Sequence, residues 1–311
     1  MRDEGDSLVR TRLTKGCLVR IDAGTDRLMG ATVTELHLGS ASEAEVAELR
    51  EAVYSNRILL IKDQHLAPKE LVELGRALGT IEVYYEPMYH HPEHPEIFVS
   101  GTKPGESFEG VPQTGKFWHA DYSFMANPFG ITMTSPQIVP KGNRGTYYID
   151  MAKAFAALPE KLKELLRGTR VEHSPRRYFK IRPSDVYRPM HELQAEIEEI
   201  TPAVFHPTVF RHPVTGEEVL YVSEAASFGF VDEDGRRLAP EILHEVLERT
   251  GQLDQTFTHP NIHLQTFTEG DLLVWDNRAL VHRALHSPKP EPAQSYRVTV
   301  HDQHPFFGAG T

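Results

Sequence analysis

The chain has 311 residues, 40% of them hydrophobic, enough to bury a substantial core. A formal net charge of −11 argues against a general nucleic-acid surface, and the single cysteine, Cys17, excludes both an internal disulfide framework and a multi-cysteine metal or cluster site. Any metal must use histidines and carboxylates; the charged N-terminus lacks a secretory signal and no apolar run approaches a membrane span, so a cytoplasmic protein with neither nucleic acid nor membrane as partner is expected.

Cys17 to Ile21 and Ala31 to Leu38 read as short strands separated by the turn-rich Gly24 to Asp26. Ser42 with Glu45 three residues on writes a capping box for a helix running to Tyr54, with Val46, Leu49 and Val53 on one side. Ile58 to Ile61 is a short apolar strand, and Ala67 to Leu78 is a helix ending before Gly79. Periodicity disappears between Glu82 and Lys116, making 82–116 a loop or lid candidate. Phe117 to Phe124, Phe129 to Ile138 and Thr146 to Ile149 read as strands, and Asp150 caps a predicted helix from Met151 to Arg167. Arg170 to Met190 is again irregular, so 170–200 is a second lid or insert candidate. Strands follow at Ala203 to Arg211, Glu218 to Val222, Asn261 to Thr268, Leu272 to Trp275 and Tyr296 to His301, with a helix from Ala239 to Thr250. With no low-complexity linker, internal repeat or nucleotide-binding glycine fingerprint, residues 1–311 read as a single catalytic domain. Many short strands and few helices favour a mainly β, double-sheet jelly roll.

In FWHADYS, His119 and Asp121 are two residues apart, so on a strand both side chains leave one face. His282, in WDNRALVH, is the third candidate ligand. Two imidazoles and one carboxylate leave open positions on which non-heme iron(II) holds oxygen and a bidentate co-substrate; zinc takes the same ligands. A lone His-X-Asp pair would be incidental, and it is the conjunction with WDNR, the distal histidine and a basic terminal strand that points to a metal. Arg297, in YRVTV, needs a carboxylate if buried, either that of 2-oxoglutarate or that of an acidic side chain. Thr146 offers a hydroxyl from another strand. The cluster Arg176, Arg177, Lys180 and Arg182 stands out in an acidic chain, as an anion site or as a solvated loop face.

These residues, together with LLIKDQHLAPKELVELGRALG, WHADYSF, the GT of RGTYYIDMAKAF and WDNRALVHRALH, carry a resemblance. From about Cys17 to Val300 the chain resembles the taurine/2,4-D dioxygenase-like branch of Fe(II)/2-oxoglutarate enzymes. The resemblance implies a double-stranded β-helix, Fe(II) on His119, Asp121 and His282, and 2-oxoglutarate held by Thr146 and Arg297. One departure matters. Many members carry arginines eleven and fifteen residues after the distal histidine, the first gripping the co-substrate; here Ala293 occupies the first position and Arg297 the second. Substrate cations must then come from elsewhere.

Tyr84, Tyr85, Tyr89, Arg144, Lys180, Arg182 and His286 are similar to the pocket of a narrower subgroup, the isonitrile-forming oxygenase/decarboxylases of isonitrile lipopeptide pathways. This implies a small dicarboxylic amine as substrate, a (3R)-3-[(carboxymethyl)amino] fatty acid close to the butanoate. With O2 it is converted into the 3-isocyano acid with loss of carbon dioxide, beside other enzymes of such a pathway. Tyr85, Lys180 and His286 would act at the reacting end, with Lys180, His286 and a tyrosine on the glycyl carboxylate. Arg182 with Tyr84 or Tyr89 would hold the fatty-acid carboxylate, and Arg144 either anion. A 2-oxoglutarate-dependent hydroxylase or desaturase of another small carboxylate shares every iron-site residue, and the tyrosines equally suit an apolar lid anchor.

Overall fold

The computed structural model describes residues 19–23, 29–102, 114–142, 145–177, 179, 181–286 and 291–308. Cys17, Arg144 and Lys180 therefore lie outside the described residues. The elements up to the iron motif are β1 (Arg20–Asp22), β2 (Ala31–Thr34), α1 (Glu43–Asn56), β3 (Ile58–Ile61), α2 (Pro68–Leu78), β4 (Thr80–Glu82) and β5 (Phe98–Thr102). Beyond it come β6 (Ile131–Ile138), β7 (Thr146–Asp150), α3 (Met151–Ala156), α4 (Glu160–Arg167), β8 (Arg170–His173), α5 (Met190–Ile200), β9 (Val204–Pro207), β10 (Val209–Arg211) and β11 (Glu218–Leu220). The chain continues through β12 (Ser227–Val231), α6 (Pro240–Thr250), β13 (Ile262–Gln265), β14 (Leu272–Asp276), β15 (Leu280–Ala284) and β16 (Ala293–His301).

An eight-stranded sheet runs β1-β2-β3-β14-β6-β16-β4, with β5 also paired to β16, and faces a three-stranded sheet β13-β7-β15. Strand alternation builds the layers. Ile58, Leu60, Leu273 and Trp275 of the large sheet meet Tyr148 and Leu280 of the small one in a core between the two. The neighbouring positions Leu59, Ile61, Val274, Met133 and Val298 point the other way and are covered by Leu49 and Val53 of α1 and Leu71 and Val72 of α2. Outside the small sheet, Ile149 and Val281 pack with Phe155, Leu162, Leu166 and Val246. Register then assembles the site between the sheets: Thr132 pairs with both Trp275 and Thr299, Arg297 lies opposite Thr134, and His282 lies opposite Tyr148 on the facing sheet.

Local chemistry explains most boundaries. The α1 capping box forms, with the Ser42 hydroxyl accepting from the Glu45 N–H at 3.3 Å and the Glu45 carboxylate accepting from the Ser42 N–H at 2.7 Å. Helix α2 opens on Pro68 and stops at Gly79, where a Cβ would sit 2.2 Å from the His301 carbonyl oxygen, so only glycine lets β16 approach.

Several expectations are corrected. The single helix expected over 151–167 is two, because Pro159 has no N–H and biases Leu158 away from helix. The strand expected over 203–211 breaks at Thr208, whose N–H donates to the Thr169 carbonyl at 3.0 Å. Residues 117–124 are not a strand: His119 makes one isolated bridge to His282, and turns follow. The first lid candidate contains β5, a strand of the large sheet, and the second contains β8, the centre of the sheet β12-β8-β9, as well as α5. Among the described residues no helix is long and apolar enough to cross a membrane.

Candidate metal centre and its pocket

Two backbone hydrogen bonds set the histidines side by side. The His119 N–H donates to the His282 carbonyl at 3.0 Å and the His282 N–H returns to the His119 carbonyl at 2.8 Å, leaving the ring centroids 4.1 Å apart. Asp121 follows in a turn held by Asn277. The Asp121 N–H donates to Asn277 Oδ1 at 2.8 Å, and Asn277 Nδ2 donates to the carbonyls of Asp121 at 2.9 Å and Phe129 at 3.2 Å. The Thr132 hydroxyl then donates to Asp121 Oδ2 at 3.0 Å. The result puts His119 Nε2 and His282 Nε2 at 3.7 Å and 3.9 Å from the Asp121 carboxylate. All three residues are buried, and their ligand atoms lie within 4.8 Å of one another, the one such group among the described residues.

Protonation suits a cation here. His119 Nδ1 is 2.8 Å from the Phe117 carbonyl, which can only accept, so the proton sits on Nδ1 and Nε2 is left as the donor atom. Burial lowers the pKa of His119, and burial with the neighbouring His119 ring lowers that of His282 further, so both rings are neutral. Burial alone would raise the Asp121 pKa, but the Arg297 guanidinium beside it, with the hydrogen bond from Thr132, more than offsets this, and the carboxyl is an anion below its usual range. Two neutral imidazoles and a carboxylate brought together in this way fit a divalent iron.

Arg297 reaches this carboxylate as well: Nη1 is 2.6 Å from Asp121 Oδ1, and its guanidinium lies 4.1 Å from the Phe98 ring centroid and 5.4 Å from that of Tyr122. Of the two foreseen partners of Arg297, the structure shows the acidic side chain, Asp121. Thr146 starts β7 opposite Ala284, on the same face as Tyr148 and His282.

A cavity of about 150 Å³ opens over His119 and Asp121 of the triad, lined also by Tyr84, Tyr89, Phe98, Lys116, Tyr122, Phe124, Arg177, Phe179 and Arg297 among others. Burial first, and neighbouring phenols next, push the pKa of Tyr84 up; burial also raises those of Tyr89 and Tyr122, so all three stay protonated as hydrogen-bond donors. The Tyr85 ring lies tilted against Tyr84, with centroids 4.6 Å apart, and is not among the residues that line the cavity. Arg182 is turned to Asp185 at 2.9 Å and Glu196 at 2.5 Å, and these ion pairs hold Asp185 at a pKa of about 2. His286 Nε2 is 3.0 Å from the carbonyl of Thr114, a residue of the cavity wall. Sequence inspection did not single out Asn277, Thr132, Tyr122, Phe98 or Lys116. Asn277 was visible only as a letter of WDNR, and the others are assembled by register and turn geometry.

The facing sheets form a double-stranded β-helix, and the buried His-Asp-His triad between them is a mononuclear metal site of the kind non-heme iron oxygenases use. Residues 22–299 match the model of the taurine catabolism dioxygenase TauD, TfdA family. The chain is 27% identical over 271 residues to the alpha-ketoglutarate-dependent 2,4-dichlorophenoxyacetate dioxygenase of Cupriavidus pinatubonensis, covering 82% of this chain and 88% of the relative. It is 25% identical over 271 residues to the (S)-phenoxypropionate/alpha-ketoglutarate-dioxygenase of Sphingobium herbicidovorans, covering 84% and 88%. A taurine dioxygenase structure from Burkholderia xenovorans superposes with a TM-score of 0.70 at 22% identity over 92% of this chain and 90% of that one. AAD-2 in complex with Mn(II) and N-oxalylglycine does so at 0.68 with 20% identity over 93% and 99%; both share the fold. The chain belongs to the TauD/TfdA family and is an Fe(II)- and 2-oxoglutarate-dependent dioxygenase.

Proposed function

We propose that this enzyme converts a (3R)-3-[(carboxymethyl)amino] fatty acid, the short-chain butanoate, into the 3-isocyano acid, using two O2 and two 2-oxoglutarate. The observation that carries it is the charge of the cavity: three cations, Arg297, Arg177 and Lys116, line it against one acid, Asp121, among the described residues of a chain whose net charge is −11. Such a pocket favours a small polyanion. Ala293 adds support, because β16 carries no cation at that position, eleven residues after His282, and Arg297, with Thr146, is left as the candidate for the far carboxylate of 2-oxoglutarate.

Bound to the triad, Fe(II) with 2-oxoglutarate and O2 supplies a two-electron oxidation per turnover and releases succinate and carbon dioxide. The protein decides which C–H bond is presented. Lys180 and His286 take the glycyl carboxylate, with a tyrosine from the set Tyr84, Tyr85 and Tyr89 as a further donor. Arg144 serves either organic anion, and Arg182 steadies the segment opposite the tyrosines. The unit R–NH–CH2–COOH becomes R–N≡C and CO2 with loss of four hydrogens, which two turnovers carry to two waters. Residues 1–311 act as one catalytic domain in the cytoplasm, with Tyr84 and Tyr89 from 82–116 and Arg177 and Phe179 from 170–200 bordering the substrate.

The test is anaerobic reconstitution with Fe(II), 2-oxoglutarate and the N-carboxymethyl amino acid, followed by oxygen. An isonitrile stretch in the infrared spectrum supports the proposal. A stable alcohol as the sole product replaces it with simple hydroxylation of a small carboxylate.

A further inference from the structure

We infer that Lys116 and Arg177 form an anion clamp on the cavity wall that takes the second carboxylate of the substrate, the one remote from the bond being oxidised. The inference deepens the proposal above and rests on it for the choice of a diacid. Both residues are exposed and both line the cavity over the iron triad. Among the described residues, these nearby cations are already neutralised: Arg297 by Asp121, Arg182 by Asp185 and Glu196, Arg176 by Glu198 at 3.6 Å, and Arg188 by Asp185 and Glu196. Neither Lys116 nor Arg177 has a carboxylate partner among the described residues.

The two are also held in place. Arg177 donates one N–H to the Glu224 carbonyl and sets its guanidinium 5.2 Å from the Phe228 ring centroid, leaving its other donors for a ligand. Lys116 rides on a segment fixed on both sides. The Ala284 N–H donates to the Gly115 carbonyl at 3.0 Å, and the Trp118 N–H donates to the Glu224 carboxylate at 3.1 Å. Glu224 thereby ties the strip bearing Lys116 to the loop bearing Arg177, while its own charge faces Arg283 at 4.0 Å. Arg297 and Asp121 cancel, so among the described residues two uncompensated positive charges remain on the wall, with Phe124, Phe179 and Tyr89 also lining the cavity for the apolar part of a short chain. A planar guanidinium and a mobile ammonium together grip a carboxylate by charge-assisted hydrogen bonds.

The experiment loads wild type, Lys116→Gln and Arg177→Gln with Mn(II) and N-oxalylglycine, so that the co-substrate position is filled. Calorimetric titration then follows with 3-[(carboxymethyl)amino]butanoate, its butanoate mono-amide, and adipate. Wild type binds the tightest diacid about tenfold more strongly than the mono-amide, and each substitution removes that advantage while leaving N-oxalylglycine affinity unchanged. Raising the ionic strength weakens the diacid more than the mono-amide. A wild type that binds no diacid better than the mono-amide, or substitutions that weaken diacid and mono-amide equally, overturns the clamp. An intact diacid preference without isonitrile formation refutes the chemistry proposed above and leaves the clamp standing. Isonitrile formation without the preference does the reverse.

Discussion

Replacing Asn277 with alanine removes the side chain that presents the iron-binding carboxylate. Three groups lose their partner: the N–H and carbonyl of Asp121 and the carbonyl of Phe129, all inside a fully buried environment. A lost hydrogen bond costs about 1 kcal/mol net and a buried group left unpaired about 1–3 kcal/mol, so with partial relaxation the variant loses about 3 kcal/mol of stability. The effect on metal exceeds that of a general weakening. Asp121 sits in a turn rather than a ladder, and once that turn loosens, the Thr132 contact to Oδ2 and the 3.7 Å and 3.9 Å approaches of the two imidazoles are lost together. Fe(II) affinity therefore falls at least about tenfold, on the scale seen when the partners of metal ligands are removed. Urea unfolding followed by fluorescence of the two buried tryptophans, Trp118 and Trp275, gives the first quantity, and anaerobic Fe(II) titration gives the second. Stability within about 0.5 kcal/mol of wild type, the range of an ordinary surface substitution, with unchanged Fe(II) affinity would refute the role assigned to Asn277.

Three further outcomes follow from named contacts. Burial, with the adjacent His206 ring, depresses the His173 pKa from 6.5 to about 3. The unfolded chain thus binds more protons between those values; the stability is fully present above pH 6.5 and is lost as the pH falls, by about 2 kcal/mol at pH 5. His173→Phe flattens that part of the profile, and denaturation curves at pH 7.5 and 5 with the same loss in both proteins would contradict this. Gly130→Ala puts a Cβ 1.9 Å from Arg278 Nη1, which is paired to Asp302 at 2.8 Å, and costs about 3 kcal/mol by displacing a buried ion pair. An unshifted melting temperature counts against that account. Arg297→Lys keeps the charge but loses the planar two-donor edge, so the KM for 2-oxoglutarate rises about tenfold while Fe(II) affinity holds. The opposite split, with iron lost and KM held, assigns Arg297 to Asp121 alone.

Legibility in the sequence divides along physical lines. The caps of α1 and α2 were readable because Ser42, Glu45, Pro68 and Gly79 act within one helical turn of themselves. The division of α3 from α4 was written in Pro159, and the longer apolar periodicity on either side masked it. Strand β8 went unread because its four residues, Arg-Val-Glu-His, have no alternation; the buried Glu172 is paired to Arg237 at 2.7 Å, a contact made only in three dimensions. The triad was legible from motif chemistry, yet its geometry has another origin than strand alternation: His119 and Asp121 converge through a bridge and an asparagine-held turn. Within the basic cluster, spacing could not say which cation meets an acid and which meets the cavity. Asp185 and Glu196 decide this for Arg182, and Glu224 for Arg177.

The most direct measurement is the ratio of succinate to isonitrile in a reaction limited by the N-carboxymethyl amino acid, with uncoupled succinate subtracted from a control lacking it. Two succinates per isonitrile, and one carbon dioxide traced to the glycyl carboxylate, are predicted. One succinate per molecule consumed, with the glycyl carboxylate retained in a hydroxylated product, would contradict the proposed chemistry while leaving the iron centre on His119, Asp121 and His282.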